Sequence, residues 1–267
     1  ATPRQLAGLM DHSFLRRQAG ERFDMHGLMH RFAGEKLTAQ PAIEADARQR
    51  HADYYTDLMK QAGWELEPGD AAISAALEGE APNFLAAWRW GVEQRDASVV
   101  GRMMRWLVDY YRRRGDYSGG EAAFERAVQA FRSTDGGTEN AGLLGSLLLR
   151  LGKCFQRSGG DYKIGIALEA VTLLRQASPA HPLDLAQALV TLGTAHASLG
   201  RNPEATELLT EALALLREAG NEVGVGATLR DLGIVATGWG RPRHAQPFLE
   251  ESTQVLEGRE HKSYVQS

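Results

Sequence analysis

Leu189-Val190-Thr191-Leu192-Gly193 returns forty residues later as Leu229-Arg230-Asp231-Leu232-Gly233. The same offset relates Gly200 to Gly240, Ala205 to Ala245 and Leu209 to Leu249. An earlier copy, Leu148-Leu149-Arg150-Leu151-Gly152 with Phe155, stands 41 residues before Gly193 and turns at Gly159-Gly160. The first copy is Met104 to Leu107-Val108 with Tyr111, Gly115, Phe124 and Ala127. Each copy reads as helix, turn, helix. The small residue late in the first helix lets the second pack closely, and the glycine before the turn supplies a conformation other residues resist. Pro203 sits where a second helix begins, a position at which its missing N–H costs little. A fixed period is the mark of a stacked array rather than of a simple bundle.

Composition agrees with a helical protein. Of 267 residues, 43% are hydrophobic and 24% charged, which suffices for a sizeable core. Ala, Leu, Glu and Arg dominate, and apolar residues recur at helical spacing nearly throughout. The net charge of −4 is spread without a strong basic excess in either half, so composition offers no footprint for DNA or RNA. A single cysteine, Cys154, excludes an internal disulfide framework and a multi-cysteine zinc site. No apolar run approaches the ~18 residues of a membrane span, and no signal peptide is evident, which leads to the expectation of a cytoplasmic protein. Because a helix is under way by Arg4, the chain reads as a piece of a longer one.

The Leu-Gly, Ala and large-apolar positions resemble the tetratricopeptide (TPR) layout, with a period longer than the usual ~34 residues. The excess falls in stretches such as Arg217 to Gly224, so the helices are expected to be long. The expected fold is therefore all-α: an α-solenoid of TPR-like helix pairs with ~40-residue repeats, preceded by a helical arm and a winged-helix remnant with one β-hairpin.

Upstream of the repeats, Leu6 to Asp11 closes a helix. Phe14 to Arg17 and Arg22 to Met25 read as strands joined by Gln18 to Glu21, and Gly27 to Leu37 is an amphipathic helix. Helix, hairpin, helix is the tail of a winged-helix domain, and Pro41 is expected to end it. Helices are expected over 43–62 and 83–95, with Asn83 as an N-cap. Between them come a Gly/Pro/acid stretch, Trp64 to Asp70, and a short helix over 71–77. The resulting units are 1–40, the end of a winged helix; 41–97, a helical arm; and 98–267, a TPR-like superhelix.

Asp24-Met25-His26-Gly27-Leu28-Met29-His30 resembles the Met-His-Asp box that closes the winged helix of STAND signal-transduction ATPases, the group of NB-ARC apoptotic and plant-immunity proteins and bacterial TPR-containing regulators. His51 to Tyr55 and Glu80 to Trp90 are similar to segments that follow in bacterial members. The resemblance implies the sensor region of an inducer-gated switch. Inducer binding to the superhelix would relieve autoinhibition of a nucleotide-binding domain, and the box histidine, here His26, would contact the ADP phosphate. Gly27 departs from the acidic residue common at its position. The chain contains no G-x-x-x-x-G-K-[ST] loop, so ATP or ADP and Mg would belong to the parent protein and this fragment would hold no cofactor. The resemblance also implies a monomeric fragment and a parent that oligomerises on activation.

No catalytic constellation emerges. His26 and His30 share a helical face, but Gly27 follows His26 where a metalloprotease has Glu, and no third ligand is evident. Cys154 has no partner motif. Trp88, Trp90 and Trp106 are expected as core anchors of the arm and first repeat. The first helices of a TPR stack line its concave face, and phasing from the Leu-Gly anchors gives the outward residues. They are Arg102, Arg105, Asp109, Arg112 and Arg113, then Ser146, Leu149, Lys153, Gln156 and Arg157. Next come Gln187, Val190, Thr194, Ala197 and Ser198, and finally Ala227, Arg230, Ile234 and Thr237. The first two sets are cationic. They suggest a groove for a small anionic molecule, peptide or protein inducer, since the arginine fork donates two hydrogen bonds to a carboxylate or phosphate. The competing reading is a constitutive TPR scaffold that docks a partner protein or peptide.

Overall fold

The computed structural model describes residues 2–17, 23–61, 78–132, 137–154, 160–177 and 180–265, with the backbone alone at 137–139, 153–154, 160–163 and 258–265. Twelve helices and one antiparallel two-stranded sheet occur among the described residues. Helix α1 (Pro3–Asp11), strands β1 (Leu15–Arg17) and β2 (Phe23–Met25) and helix α2 (Gly27–Thr38) form the front. Leu15 pairs with Met25 and Arg17 with Phe23. Helices α3 (Pro41–Gln61) and α4 (Ala81–Gln94) follow. Four helix pairs come next: α5 (Ala97–Arg114) with α6 (Tyr117–Arg132), α7 (Gly137–Cys154) with α8 (Gly160–Gln176), α9 (Pro182–Ser198) with α10 (Asn202–Glu218), and α11 (Glu222–Gly238) with α12 (Pro242–Val265). The architecture is the expected all-α solenoid of TPR-like pairs.

The forty-residue period has a plain origin. Helices α9, α10 and α11 are each 17 residues long, and three residues separate each from the next. Two such helices with their turns make one repeat. Gly200, Gly220 and Gly240 take φ of +73°, +65° and +73°, the left-handed region that residues with a Cβ resist.

Inside each of the last three pairs the first helix is notched to receive the second. A Cβ on Gly193 would lie 3.0 Å from Leu209 Cγ and 3.3 Å from the Ala205 carbonyl. Gly233 repeats this against Leu249 at 2.6 Å and Ala245 at 3.5 Å. A second notch lies two turns earlier: Gly145 faces Leu174 at 2.7 Å, and Gly226 faces Leu256 at 2.8 Å. Ala186 is fully buried at the corresponding place in α9. The second helices are also tied to one another on the exposed side. Arg132 pairs with Glu169 at 2.5 Å, Arg175 with Glu211 at 2.5 Å, and Arg217 with Glu251. Each exposed pair is worth at most about 1 kcal/mol, so the ladder sets register more than stability.

Helices α3 and α4 share one continuous core with the repeats, running from Ala52 and Met59 through Phe84, Trp88 and Trp106 to Leu189 and Ala212. Trp88 and Trp106 are buried, as expected of core anchors. Trp90 is half-buried, and its Nε1 donates to Gln49 Oε1 at 3.0 Å. Ring contacts run from Tyr55 to Phe84 at 5.3 Å, Phe84 to Trp106 at 4.9 Å, and Trp106 to Tyr110 at 5.0 Å. The His51 ring lies against Tyr55 at 4.6 Å, tilted by 46°. Burial lowers the His51 pKa, a hydrogen bond with Asn83 opposes that, and nearby Arg48 adds to the lowering.

Pro41 opens α3, as a first-turn proline can. Two local expectations need correction. Asn83 is not the N-cap: α4 begins at Ala81, and Asn83 Nδ2 donates to Glu80 Oε2 at 2.7 Å. Ser146 is 4% exposed rather than outward-facing, with its hydroxyl turned to Asp184 of the next pair. The stretch 64–70 and the helix expected over 71–77 lie outside the described residues.

The two equivalent glycines make a test of the packing. Leu209 is fully buried and cannot yield, whereas Leu249, in the last helix, is 39% exposed and can rotate away. Gly193→Ala should therefore lower stability by about 1–2 kcal/mol, overpacking outweighing the ~1 kcal/mol that alanine gains in a helix. Gly233→Ala should be neutral or stabilising. Thermal unfolding of both variants checks the ordering.

Candidate functional site

The first helices of all four pairs, with the end of α10, line one cleft of about 670 Å³. Helix α5 contributes Arg105, Val108, Asp109 and Arg112, and α7 contributes Leu149 and Arg150. Helix α9 supplies Leu183, Asp184, Gln187 and Val190. At the far end lie Leu216, Asn221, Val223, Gly224, Ala227 and Thr228. Glycine notches hold the last three pairs close, and the first helices of all four pairs lie around a common hollow.

A polar network crosses its middle. Arg150 grips Asp184 through Nη2 to Oδ1 at 3.1 Å and Nη1 to Oδ2 at 3.2 Å. Ser146 Oγ donates to the same carboxylate. Burial alone would raise the Asp184 pKa, but the Arg150 charge and the Ser146 hydrogen bond outweigh it and hold the carboxyl below its ordinary value. Arg105 sits beside this network. Partial desolvation and repulsion from Arg150 lower its pKa, while Asp109 opposes them. Asp109 is itself engaged by Arg113 at 2.8 Å. Among the described residues Arg112 has no ion-pair partner. The α5 wall therefore carries cationic capacity that the protein does not fully neutralise.

Of the residues picked out from the sequence, Arg105, Asp109, Arg112, Leu149, Gln187, Val190 and Ala227 meet in this cleft. Arg113 bonds along α5 to Asp109, and Thr194 is exposed with its hydroxyl turned to the Val190 carbonyl at 2.9 Å. Arg230 pairs with Asp231 at 3.2 Å on an exposed surface. None of these three lines the cleft. Lys153 is in α7 with its side chain undescribed, and Gln156 and Arg157 lie outside the described residues. Arg102 turns toward the arm, 3.7 Å from Asp57.

The Arg150–Asp184–Ser146 network escaped the sequence reading. It joins adjacent repeats at positions that carry Thr191 and Asp231, or Leu143 and Gly224, in other copies, so no periodicity signals it. His26 is exposed at the start of α2, where its Nδ1 accepts from the Leu28 N–H at 3.3 Å. In a neutral ring that bond leaves the proton on Nε2. Among the described residues no three His, Cys, Asp or Glu side chains converge as metal ligands, and no helix is long and apolar enough to cross a membrane.

A second hollow, of about 590 Å³, opens between α6 and α8 beside the Arg132–Glu169 pair. It exists where Gly165 stands at the place of Glu207 and Pro247 in later copies.

Residues 184–258 match the tetratricopeptide repeat family. No curated protein matches the chain. Its fold is similar to that of BtubC (BKLC) from P. vanneervenii, with a TM-score of 0.51 at 14% identity over 81% of this chain and 92% of that one. A structure of MamA AMB-1 aligns with a TM-score of 0.42 at 21% identity over 67% of this chain and 93% of that one. These likenesses are of fold. Repeats of this type make protein-interaction scaffolds, and the fold is generally non-enzymatic.

Removing the Asp184 carboxylate would leave Arg150 and Ser146 without their partner. Asp184→Asn should cost about 1–3 kcal/mol at neutral pH. The folded pKa lies below the unfolded value of 3.8, so the stabilisation is complete above that value and is lost as pH falls through the folded one. Thermal melts of both proteins should differ fully at pH 7 and converge in strong acid.

Proposed function

We propose that this chain is the ligand-recognising region of a STAND-type signal-transduction ATPase, and that an anionic inducer binds in the concave cleft. The observation that carries the proposal is the cleft itself, shaped by four consecutive first helices and carrying Arg105 and Arg112 on one wall. A groove that presents cations with incomplete internal partners is poised for carboxylate or phosphate. The order of the chain supports the switch. The front is helix, hairpin, helix, with no buried residue in α1 or α2 and with Phe14, Phe23, Leu28 and Phe32 exposed. Such a front needs a larger body to cover it, as the end of a winged helix would. His26, with an Nε2 donor at a helix start, has the chemistry for a phosphate contact in that larger body. ATP or ADP and Mg would be held there, by residues outside this chain.

A constitutive scaffold would use the same cleft without a switch, and the TPR-type repeats accord with it. Two measurements separate the readings. The sensor reading expects a G-x-x-x-x-G-K-[ST] loop in the coding sequence upstream of Ala1, and faster ADP release from the parent protein carrying His26→Ala. A parent with no such loop leaves the scaffold. Independently, Arg105→Glu with Arg112→Glu should abolish the inducer response at unchanged fold; a full response would remove the cleft from the mechanism.

A further inference from the structure

We infer that the hollow between α6 and α8 is a second binding site, distinct from the cleft, and that it takes a small primary amine with an apolar body whose ammonium group sits on Glu125. The site stands apart from the sensor reading and does not need it. Its floor is carbon: Val128 from α6, Leu148 and Leu151 from α7, and Ile166 from α8. All four are buried. Leu149 and Arg150 of the same α7 line the cleft instead, so one helix separates the two spaces. The rim is polar. Arg132 Nε donates to Glu169 Oε1 at 3.2 Å and Arg132 Nη2 to Glu169 Oε2 at 2.5 Å, so both oxygens of that carboxylate are engaged and the two charges offset each other. Glu125, half-buried on the rim, has no ion-pair or hydrogen-bond partner among the described residues. The hollow therefore sets one uncompensated negative charge over an apolar floor, the reverse of the cationic wall in the cleft. Its volume of about 590 Å³ falls within the range of small-ligand pockets.

Both features that make the hollow interrupt the repeat. Glycine inside a helix is destabilising relative to alanine. Gly145, Gly193, Gly226 and Gly233 each receive a leucine of the next helix in the space where a Cβ would stand. Gly165 is different: a Cβ there would meet nothing within 4 Å. No close approach requires glycine at this place, and what the missing side chain leaves is the mouth of the hollow, where Glu207 and Pro247 stand in later copies. Glu125 departs from the repeat as well. Aligning the second helices on buried Ala127, Ala170 and Ala212 puts Leu168 and Thr210 at its place in α8 and α10. An opened mouth and an unpaired carboxylate meet at one junction, and stacking needs neither. An occupant that lays carbon on the floor and a cation on the rim accounts for both. Three helices wall the space, which suits a compact molecule rather than an extended chain. A carboxylate there accepts charge-assisted hydrogen bonds from an ammonium group and repels an anion.

Titration calorimetry of the whole chain with phenethylamine and with its neutral counterpart, phenethyl alcohol, tests the site. Two variants accompany the wild type: Glu125→Gln, which keeps the shape and removes the charge, and Gly165→Leu, which fills the hollow. The wild type should bind phenethylamine, and the alcohol about tenfold more weakly. Glu125→Gln should weaken the amine by about tenfold and leave the alcohol unchanged. Gly165→Leu should lose both ligands while its melting temperature rises, because leucine is the better helix former and lays carbon on the floor. A raised melting temperature shows that the lost binding is not a lost fold. Should the leucine variant melt lower instead, the Glu125→Gln result, read against the alcohol, decides. Amine affinity unchanged in Glu125→Gln or in a folded Gly165→Leu would overturn the assignment. Equal affinity of the wild type for amine and alcohol, or no amine binding at millimolar concentration, would overturn it too.

Discussion

The close approach of two helices at a glycine is the constraint on which the rest of the structure depends. Leu209 can sit against α9 only because Gly193 has no side chain, and Leu249 meets α11 at Gly233 in the same way. Packing helices this closely fixes their separation, and equal separations in successive pairs make one pair a near-copy of the next. With 17-residue helices and three-residue turns, the same face of every first helix then returns to the same side of the stack. The concave cleft is a consequence of that repetition, not a separate invention. The exposed arginine–glutamate ladder follows from it too, since Arg132, Arg175 and Arg217 can each reach a glutamate one repeat away only if the spacing is constant.

This explains what could be read from residues alone. Repeats were legible because the glycine seats and turn glycines recur at one offset, and an offset is visible without knowing any distance. The arginines at 132, 175 and 217 and the glutamates at 169, 211 and 251 recur almost as regularly, so the ladder was also within reach of the sequence. The phase of each first helix was harder. Phasing from Leu-Gly anchors treats a helix as having one buried stripe, whereas α7 is covered both by its partner α8 and by the following pair. Ser146 is therefore inside although the anchor rule turns it out. Arg150 and Asp184 were invisible for the opposite reason: their pairing is unique to one junction and leaves no periodic trace.

The same uniqueness separates site from scaffold. Residues that repeat, such as Gly193 and Gly233 or Ala205 and Ala245, serve the stacking. Residues that interrupt the repeat do not, and they concentrate in the cleft: Arg105 and Arg112 on α5, Arg150 on α7, Asp184 on α9. A solenoid whose pitch is set by its regular positions can vary the irregular ones at little structural cost, which is how a recognition surface arises on a repetitive frame.

Continuity of the core limits how such a frame can act. Helices α3 and α4 are not loosely tethered to the repeats; Phe84 and Trp106 pack together in the same buried cluster that reaches Leu189. A ligand seated between α5 and α11 would not swing the repeats about the α4–α5 junction without breaking that cluster, which contains several fully buried aromatic and aliphatic side chains. The front behaves differently: α1 and α2 bury no residue, and α2 contacts α3 alone among the helices with substantial contact to it. On the proposed sensor reading, a signal from the cleft would travel through the arm as tilt of the stack, and would be expressed where α2 meets α3. On that reading, the differential affinity of the ligand for two tilts of the stack would set the size of the response.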